Sequence, residues 1–284
     1  MSRCHRGAAL VLVLWLIVLL TALVGAFVLN ARVEAMQGSI QRGSAEATEV
    51  ARAGMEYALA RLQGSDPRSR WHSDGRSYRW NFNGAAVELK IRDESGKVDL
   101  NQADFEMLEK LLRSAGGNPL QARQLVAAII DWRDADELPQ PGGGAENPAY
   151  AAAGLGYGPA NAPFTTVDEL RRVLGMTPEL YRKLLPDVTV FGNRVRPDPR
   201  YASAKVLALL GLDASQQLAR RNLDPAAAAE PVASGRTFGI ESRARLGNGR
   251  EAVLRAVVRA SPVTQSGADY TVLSWEQGRG AVVQ

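Results

Sequence analysis

The stretch MSRCHRGAALVLVLWLIVLLTALVGAFVLNAR, residues 1–32, decides the fold, because a short basic segment runs directly into an apolar one. No charged residue lies between Arg6 and Arg32. The apolar run, residues 8–29, is roughly 20 residues long, which is enough to cross a bilayer as a helix and exceeds the apolar core of a cleavable signal peptide. It therefore predicts a membrane helix that stays with the mature protein.

The charges on either side of the apolar run predict its orientation. Arg3 and Arg6 precede the run, and the positive-inside rule places such residues in the cytoplasm, although Arg32 weakens the asymmetry. We therefore expect a single-pass protein with a cytoplasmic N-terminus and most of its chain in the periplasm.

The junction at Gly7-Ala8, where an arginine-containing segment meets the apolar helix, resembles the prepilin leader of type IV pilins and type II secretion pseudopilins. The resemblance implies a leader of residues 1–7, cleaved after Gly7 by the prepilin peptidase, and methylation of the new amino group on Ala8. Cleavage would also remove Cys4, the only cysteine, so that the mature chain could form no disulfide.

Leu12 stands at the fifth mature position, where most members of these families carry a glutamate. The resemblance implies that this buried glutamate neutralises the terminal amine of the subunit ahead, since an isolated charge in apolar surroundings is strongly unfavourable. A subunit with nothing ahead of it needs no such carboxylate, and its absence is typical of the K-type minor pseudopilin, the tip subunit of the type II secretion pseudopilus. A simple membrane anchor would lack it too.

Helical periodicity continues beyond the membrane and predicts one helix over residues 8–62, about 80 Å long at 1.5 Å per residue. The segment Gly64–Pro67 ends that helix, because proline cannot continue it. Two strands follow, Ser77–Phe82 and Ala86–Ile91, around an Asn83-Gly84 pair that accepts the positive φ values of a tight hairpin.

Helical spacing returns over residues 99–221, and strands are predicted again after a loose connection at 226–231. These later strands are Arg236–Leu246, Arg250–Arg259 and Tyr270–Trp275. Because short strands at both ends cannot each form a stable sheet, we predict one sheet interrupted by an insertion. The order resembles the K-type pseudopilin over nearly the whole chain.

The predicted fold class is therefore α+β, a type IV pilin-like fold in which a long N-terminal transmembrane helix packs on an antiparallel sheet and a large all-α domain is inserted in that sheet. The predicted domains are the leader at 1–7, the stalk helix at 8–62, the pilin-like α/β domain at 63–98 and 231–284, and the helical insert at 99–230.

Carboxylates concentrate in the sequence DWRDADE, residues 131–137, which follows an apolar helix and opens a Pro/Gly-rich loop ending in AENPAY, residues 145–150. Ca²⁺ takes six to eight oxygen ligands, often from carboxylates and carbonyls of one flexible segment. Asp134 and Asp136 lie where the helix ends, and like charges there are unfavourable without a cation. The spacing is not that of an EF-hand, so a solvated acidic turn is the alternative.

The same pattern resembles the calcium-binding loop of K-type pseudopilins. That resemblance implies a Ca²⁺ cofactor, with two ions as the family expectation. It implies ligands among Asp131, Asp134, Asp136, Glu146, Asn147 and Asp168.

A capping box at Thr166–Glu169 leads through apolar residues to GMTP, residues 175–178, and predicts a helix–hairpin–helix unit. Such units can bind DNA through hairpin amides. Thr177 stands where the DNA-binding form usually has a second glycine, and Asp168 opposes phosphate binding. The net charge of +4 comes from dispersed arginines, so we predict no nucleic-acid partner.

The sequence contains few residues of the types that commonly act in catalysis. His72 is the one histidine beyond the leader, and we interpret it as a surface residue. Nothing near the acidic loop supplies a nucleophile or an oxyanion donor, so the sequence predicts no enzyme. Outside the membrane helix the tryptophans are interpreted as core residues, at positions Trp71, Trp80, Trp132 and Trp275.

The resemblance implies a non-catalytic minor pseudopilin of the inner membrane, which caps the tip of the pseudopilus and initiates its assembly for protein export across the outer membrane. The implied partners are two smaller minor pseudopilins, the major pseudopilin, the prepilin peptidase and the inner-membrane secretion platform. The alternative is a membrane-anchored periplasmic helix–hairpin–helix binding module, with DNA as one candidate ligand.

Overall fold

The computed structural model describes residues 6–64, 66, 69–223, 235–261 and 270–279. Its fold is α+β: a long helix packs on a five-stranded antiparallel sheet, and a mostly helical region lies between two strands of that sheet. The predicted fold class is confirmed. Residues 1–5, Pro67 and the predicted connection at 226–231 lie outside the described residues.

Helix α1 (Arg6–Gln63) is continuous over 58 residues and ends one residue after the predicted end. Its first half exposes apolar side chains such as Trp15 and Phe27, and a surface of this kind is suited to lipid. Among the described residues it is the one helix long and apolar enough to cross a membrane. The chain is thus consistent with a single-pass anchor.

Strands β1 (Asp74–Phe82) and β2 (Ala85–Asp93) form the predicted hairpin. Asn83 and Gly84 have φ values of 47° and 77°, both in the left-handed region that a two-residue hairpin turn of this kind requires. The Asn-Gly pair therefore sets the register of the first two strands.

The insert follows β2 and contains a parallel pair of two-residue strands, β3 (Val98–Asp99) and β4 (Val188–Thr189). Its helices are α2 (Phe105–Ser114), α3 (Pro119–Arg133), α4 (Asn147–Ala152), α5 (Pro178–Leu184), α6 (Ala204–Leu209) and α7 (Ala214–Leu223). They surround a core that includes Leu108, Ile129 and Trp132. This strand pair was not predicted. The insert therefore contains a small two-stranded sheet besides its helices.

The predicted helix–hairpin–helix unit is wrong in its first helix. Residues Val167–Arg172 form a 3₁₀ helix, whereas α5 is an α-helix capped by the Thr177 side chain. The Glu169 carboxylate accepts the backbone N–H of Thr166 at 3.0 Å. This hydrogen bond is the one that the predicted capping box assigns to Glu169. Only six residues separate the Thr166 cap from the extended Val173, which leaves little room for a stable α-helix.

Strands β5 (Thr237–Arg245), β6 (Glu251–Ala260) and β7 (Tyr270–Arg279) complete the sheet in the order β1-β2-β5-β6-β7. One face of this sheet packs on the second half of α1, with residues such as Met55 and Leu59 against Ile240. A Cβ on Gly54 would lie 2.8 Å from Val87 Cγ1, so glycine allows helix and sheet to approach closely.

The insert is attached at the end of α1 that lies farther from the membrane segment. Asp93, the last residue of β2, pairs with Phe238 of β5. Phe238 borders a small cleft together with Leu59 and Leu62 near the end of α1. The opposite end of the sheet lies near Gly43, beside the Arg250 side chain. The sheet thus places the insert at its membrane-distal pole.

The tryptophans do not all lie in the core. Trp132 is buried, whereas Trp71 and Trp80 are half-buried and pack around Tyr57, with the Tyr57 and Trp80 rings 4.5 Å apart. Trp275 is 37% exposed, because β7 is an edge strand of the sheet. Its assignment to the core is therefore wrong. His72 is half-buried and is not a surface residue.

Candidate metal centre

The end of α3 places two carboxylates on one face. Asp131 lies in the last turn, and Asp134 is the C-cap, its N–H donating to the Ile130 carbonyl. Residues three apart are neighbours on a helix surface. The buried Trp132 between them fixes the helix end against the core of the insert, and Asp131 itself is fully buried.

The Pro/Gly-rich loop folds back onto Asp131. The Asp131 carboxylate accepts the N–H of Gln140 at 3.0 Å and the N–H of Ala145 at 2.5 Å. A Cβ on Gly144 would lie 2.3 Å from Asp131 Oδ2, so only glycine fits beside this carboxylate. These contacts bring Glu146, the N-cap residue of α4, to the end of α3.

Asp131, Asp134 and Glu146 form the carboxylate triad: each offers an oxygen, and these oxygens all lie within 4.8 Å of one another. Both carboxylate oxygens of Glu146 and the Oδ1 atom of Asp134 are buried without a hydrogen-bond partner. The other oxygen of Asp134 accepts only a long bond, 3.3 Å, from Gln140 Nε2. Buried carboxylate oxygens are normally paired, and no ion pair to the triad is found in the part of the chain that the structure describes.

The electrostatics of the triad agree with its geometry. Burial raises the pKa of all three carboxyl groups, and neighbouring carboxylates raise each of them further. The hydrogen bonds from Gln140 and Ala145 offset part of this rise for the pKa of Asp131. A cation at the triad would favour the charged forms and reverse the direction of the shifts.

The other predicted ligands lie outside the triad. Asp136 is exposed, and its carboxylate accepts the N–H of Leu138 at 2.8 Å. Asn147, the first residue of α4, is exposed as well. Asp168 accepts the Tyr181 hydroxyl at 2.5 Å and lines a groove between the insert and the sheet. Of the six predicted residues, the structure therefore brings three together.

Sequence reasoning missed Gln140, which donates its backbone N–H to Asp131 and its side-chain amide to Asp134. Gln140 stands between Pro139 and Pro141, and no spacing rule singles it out. Its role depends on how the loop folds back, which local periodicity does not report.

The predicted cleavage site lies at the start of α1. Gly7 and Ala8 fall within the helix, but their side chains lie outside the described residues, so cleavage and methylation there stay predictions. Leu12 projects from the apolar half of α1 and is 70% exposed. Position 12 thus places an uncharged side chain on the surface of this part of the helix.

Comparisons with known proteins agree on one family. A family model described as type II secretion system (T2SS), protein K matches residues 79–193. The type II secretion system protein K of Klebsiella pneumoniae is 30% identical over 215 residues, which cover 68% of this chain and 65% of that protein. The protein K of Pectobacterium carotovorum subsp. carotovorum is 36% identical over 107 residues, 38% of this chain and 32% of that protein. The match therefore spans less than two thirds of either relative.

A solved structure shares the fold. It is the crystal structure of the GspK-GspI-GspJ complex from the enterotoxigenic Escherichia coli Type 2 Secretion System. The similarity has a TM-score of 0.55 at 17% identity and covers 88% of this chain and 100% of the matched chain. At this identity the similarity shows the fold and no more.

The matched segment begins in β1 and extends through the carboxylate triad to the loop after β4, so it includes the features that distinguish this insert. The relatives from two bacteria carry the same protein name as the family model. Over residues 79–193 this chain is therefore similar to type II secretion system protein K, and it shares its fold with the matched chain of the GspK-GspI-GspJ complex.

Proposed function

We propose that this chain is a non-catalytic minor pseudopilin that caps the tip of the type II secretion pseudopilus and initiates its assembly. Its partners would be two smaller minor pseudopilins in a tip complex, followed by the major pseudopilin. The prepilin peptidase would process its leader, and the inner-membrane platform would receive it. The membrane segment would then lie in the inner membrane and the sheet and insert in the periplasm.

The position of the insert is the observation that carries this proposal. The chain leaves the sheet at Asp93 and re-enters it near Thr237, at the membrane-distal pole. In a filament built by stacking α1 helices, this pole is where the next subunit would be added. A second folded core there, built around Leu108 and Trp132, would obstruct further growth above the subunit.

The apolar half of α1 supports the same role. Its exposed surface is suited to contact the corresponding helices of neighbouring subunits, and Leu12 offers no carboxylate to an amine ahead of it. A subunit with no neighbour ahead needs no such charge, whereas an internal subunit does.

We also propose that the carboxylate triad binds Ca²⁺. The donors fit this ion, because they are hard carboxylate oxygens and several of them are buried without a partner. Asp131, Asp134 and Glu146 would hold the ion, which would neutralise their charges and connect the end of α3 to the start of α4. The remaining ligands of a Ca²⁺ site are commonly carbonyls and water.

DNA binding receives no support from the described residues. The predicted hairpin has one α-helix, and the Thr177 hydroxyl caps that helix by accepting the Leu180 N–H at 3.2 Å. Asp168 and Glu169 lie on the preceding 3₁₀ helix and would repel phosphate. We therefore retain the tip-subunit proposal alone.

The substitution Leu12→Glu tests the cap directly. If no amine lies ahead, the new carboxylate is uncompensated in lipid, and we expect fewer pseudopili in cells that overproduce the major pseudopilin. The matched control is Leu16→Glu, which places the same charge one turn further along α1. An increase in pseudopilus assembly with Leu12→Glu would contradict the cap, because an internal subunit should benefit from the glutamate.

A further inference from the structure

A polar cavity lies where the insert joins the sheet, at a site distinct from the carboxylate triad. Its volume is about 830 Å³, within the usual range of ligand pockets. Arg259 of β6 and Arg236, which directly precedes β5, line it from the side of the sheet, and the insert contributes Asp99, Asn193 and Arg194. We call it the neck cavity. Gln102 lines it as well and is exposed.

The acidic residues of the neck cavity are buried and already have partners. Asp99 accepts the N–H of Asn101 at 2.8 Å and that of Asn193 at 2.7 Å. Asp93 accepts Nη2 of Arg236 at 2.5 Å. These carboxylates therefore hold the backbone and the arginine in place and present little charge to solvent.

Asp198 is the third buried carboxylate, and it accepts Nη2 of Arg200 at 2.9 Å. Burial raises its pKa, but the hydrogen bonds from Arg200 outweigh this effect and the net pKa is lowered. Asp198 therefore stays charged and paired, and the loop that it organises keeps a fixed shape.

The exposed cations of the cavity are only partly neutralised, because Arg200 and Arg194 share the one carboxylate of Asp198. Arg259 projects from β6 and is exposed, and no ion pair or hydrogen bond involves its side chain among the residues that the structure describes. Arg194 is 52% exposed and lies 3.8 Å from Asp198, at the limit of an ion pair. Arg196, also exposed, follows in the same loop. The mouth of the cavity is thus positively charged.

The loop that carries Arg194 is preorganised. Asn193 has a φ of 50°, in the left-handed region, and its N–H bond to Asp99 holds that conformation. The N–H of Asp198 donates to the Ser95 carbonyl at 2.8 Å, which anchors the loop to the chain leaving β2. A preformed loop loses little conformational entropy when it binds a ligand.

We propose that the neck cavity binds an acidic, extended segment of a protein partner. Arginine forks pair bidentately with carboxylates, and amide and hydroxyl groups suit the backbone of an extended peptide. The arginines at the mouth would bind Asp or Glu side chains, and the exposed Gln102 amide would contact the peptide backbone. The proposal rests on the charges and shape of the cavity, so its test does not depend on the tip-subunit role.

The test uses the full-length chain in an uncharged detergent and a fluorescein-labelled hexaglutamate peptide, with fluorescence anisotropy as the readout. We expect the hexaglutamate peptide to bind at least about fivefold more tightly than a hexaglutamine peptide, and added salt to weaken binding. Equal binding of the two peptides would overturn the proposal.

Arg259→Gln should raise the Kd for hexaglutamate about threefold to tenfold, and the double variant Arg194→Gln/Arg259→Gln should raise it further. The matched control is Arg79→Gln, which removes an exposed arginine from strand β1 of the same sheet. An equal rise in Kd with Arg79→Gln would show that the peptide is attracted unspecifically to the positive surface, and it would overturn the proposed site. A dT₆ oligonucleotide that displaces the labelled peptide at lower concentration than unlabelled hexaglutamate would overturn the assignment to a peptide.

Discussion

The carboxylate triad in the insert and the neck cavity, where the insert joins the sheet, both contain buried carboxylates, but these are paired differently. At the neck cavity, Asp93 and Asp198 each face an arginine at hydrogen-bond distance. In the triad, Asp134 and Glu146 have buried oxygens with no partner among the described residues. The carboxylates of the neck cavity are therefore paired within the chain, and the unpaired oxygens of the triad support the proposed cation site.

The pKa directions express the same difference. The net pKa of Asp198 is lowered, while burial and neighbouring carboxylates raise the pKa of Glu146. A buried carboxylate with its own arginine stabilises the folded state at neutral pH. A group of buried carboxylates without one is unfavourable at neutral pH. Counting acidic residues therefore says little about metal binding, whereas the unpaired buried oxygens of the triad support the calcium proposal.

Removing the arginine at the neck should have the largest effect. The variant Arg236→Met leaves Asp93 buried and uncompensated, and breaking a buried pair costs about 3 kcal/mol or roughly 6–12 °C in Tm. Thermal unfolding followed by tryptophan fluorescence measures this loss, with or without Ca²⁺.

The matched control at the neck is Arg243→Met, on strand β5, which begins directly after Arg236. The Arg243 side chain is 42% exposed and lies 3.8 Å from Glu241. This surface pair should contribute under about 1 kcal/mol. Similar losses of Tm for the two variants would show that the buried Arg236–Asp93 pair contributes no more than a surface pair. The proposed difference between the neck cavity and the triad would then be contradicted.

Calcium should have the next largest effect. At 100 times the Kd, a ligand that binds only the folded chain stabilises it by about 2.7 kcal/mol, so Tm should rise by roughly 5–10 °C after EDTA treatment and addition of Ca²⁺. The variant Asp134→Asn should lose most of this rise.

Asp136→Asn provides the control for the triad, because Asp136 is exposed and lies outside it. This variant should keep the calcium-dependent rise. If the parent chain shows no rise, the metal proposal fails while the similarity to protein K is unaffected. If Asp136→Asn abolishes the rise and Asp134→Asn does not, the ion lies elsewhere in the loop.

The smallest effect concerns pH. Because the folded-state pKa of Asp198 is lowered, its pairing stabilises the fold above the ordinary aspartate pKa and is lost as pH falls through the folded pKa. Asp198→Asn should therefore lower Tm at pH 7 by the equivalent of about 1 kcal/mol, and by progressively less as the pH falls below the ordinary aspartate pKa. A loss that stays constant as the pH falls would mean that Asp198 acts through shape and not through charge.

Much of the fold could be predicted from local patterns. The apolar run and its periodicity predicted α1, and the Asn83-Gly84 pair predicted the first hairpin. Both patterns can be recognised locally, because each repeat or turn involves residues that are close together in the sequence. The β3–β4 pair was missed, since two-residue strands have no detectable period. Trp275 was misassigned because sequence does not show that β7 is an edge strand.

The candidate site was partly predictable for a similar reason. Asp131 and Asp134 are three apart on a helix, so their proximity follows from helical geometry. Glu146 joins them only because the loop folds back onto Asp131, and Asp168 was included although it pairs with Tyr181 instead. The neck cavity could not be predicted, since it brings together residues near positions 93, 194 and 259.

The most direct test of the tip-subunit role is assembly with its proposed partners. The full-length chain would be co-expressed with the two smaller minor pseudopilins of the same system, purified in detergent, and analysed by size exclusion with light scattering. We predict a stable ternary complex with one copy of each subunit. A chain that elutes alone while the other two associate with each other would contradict the account.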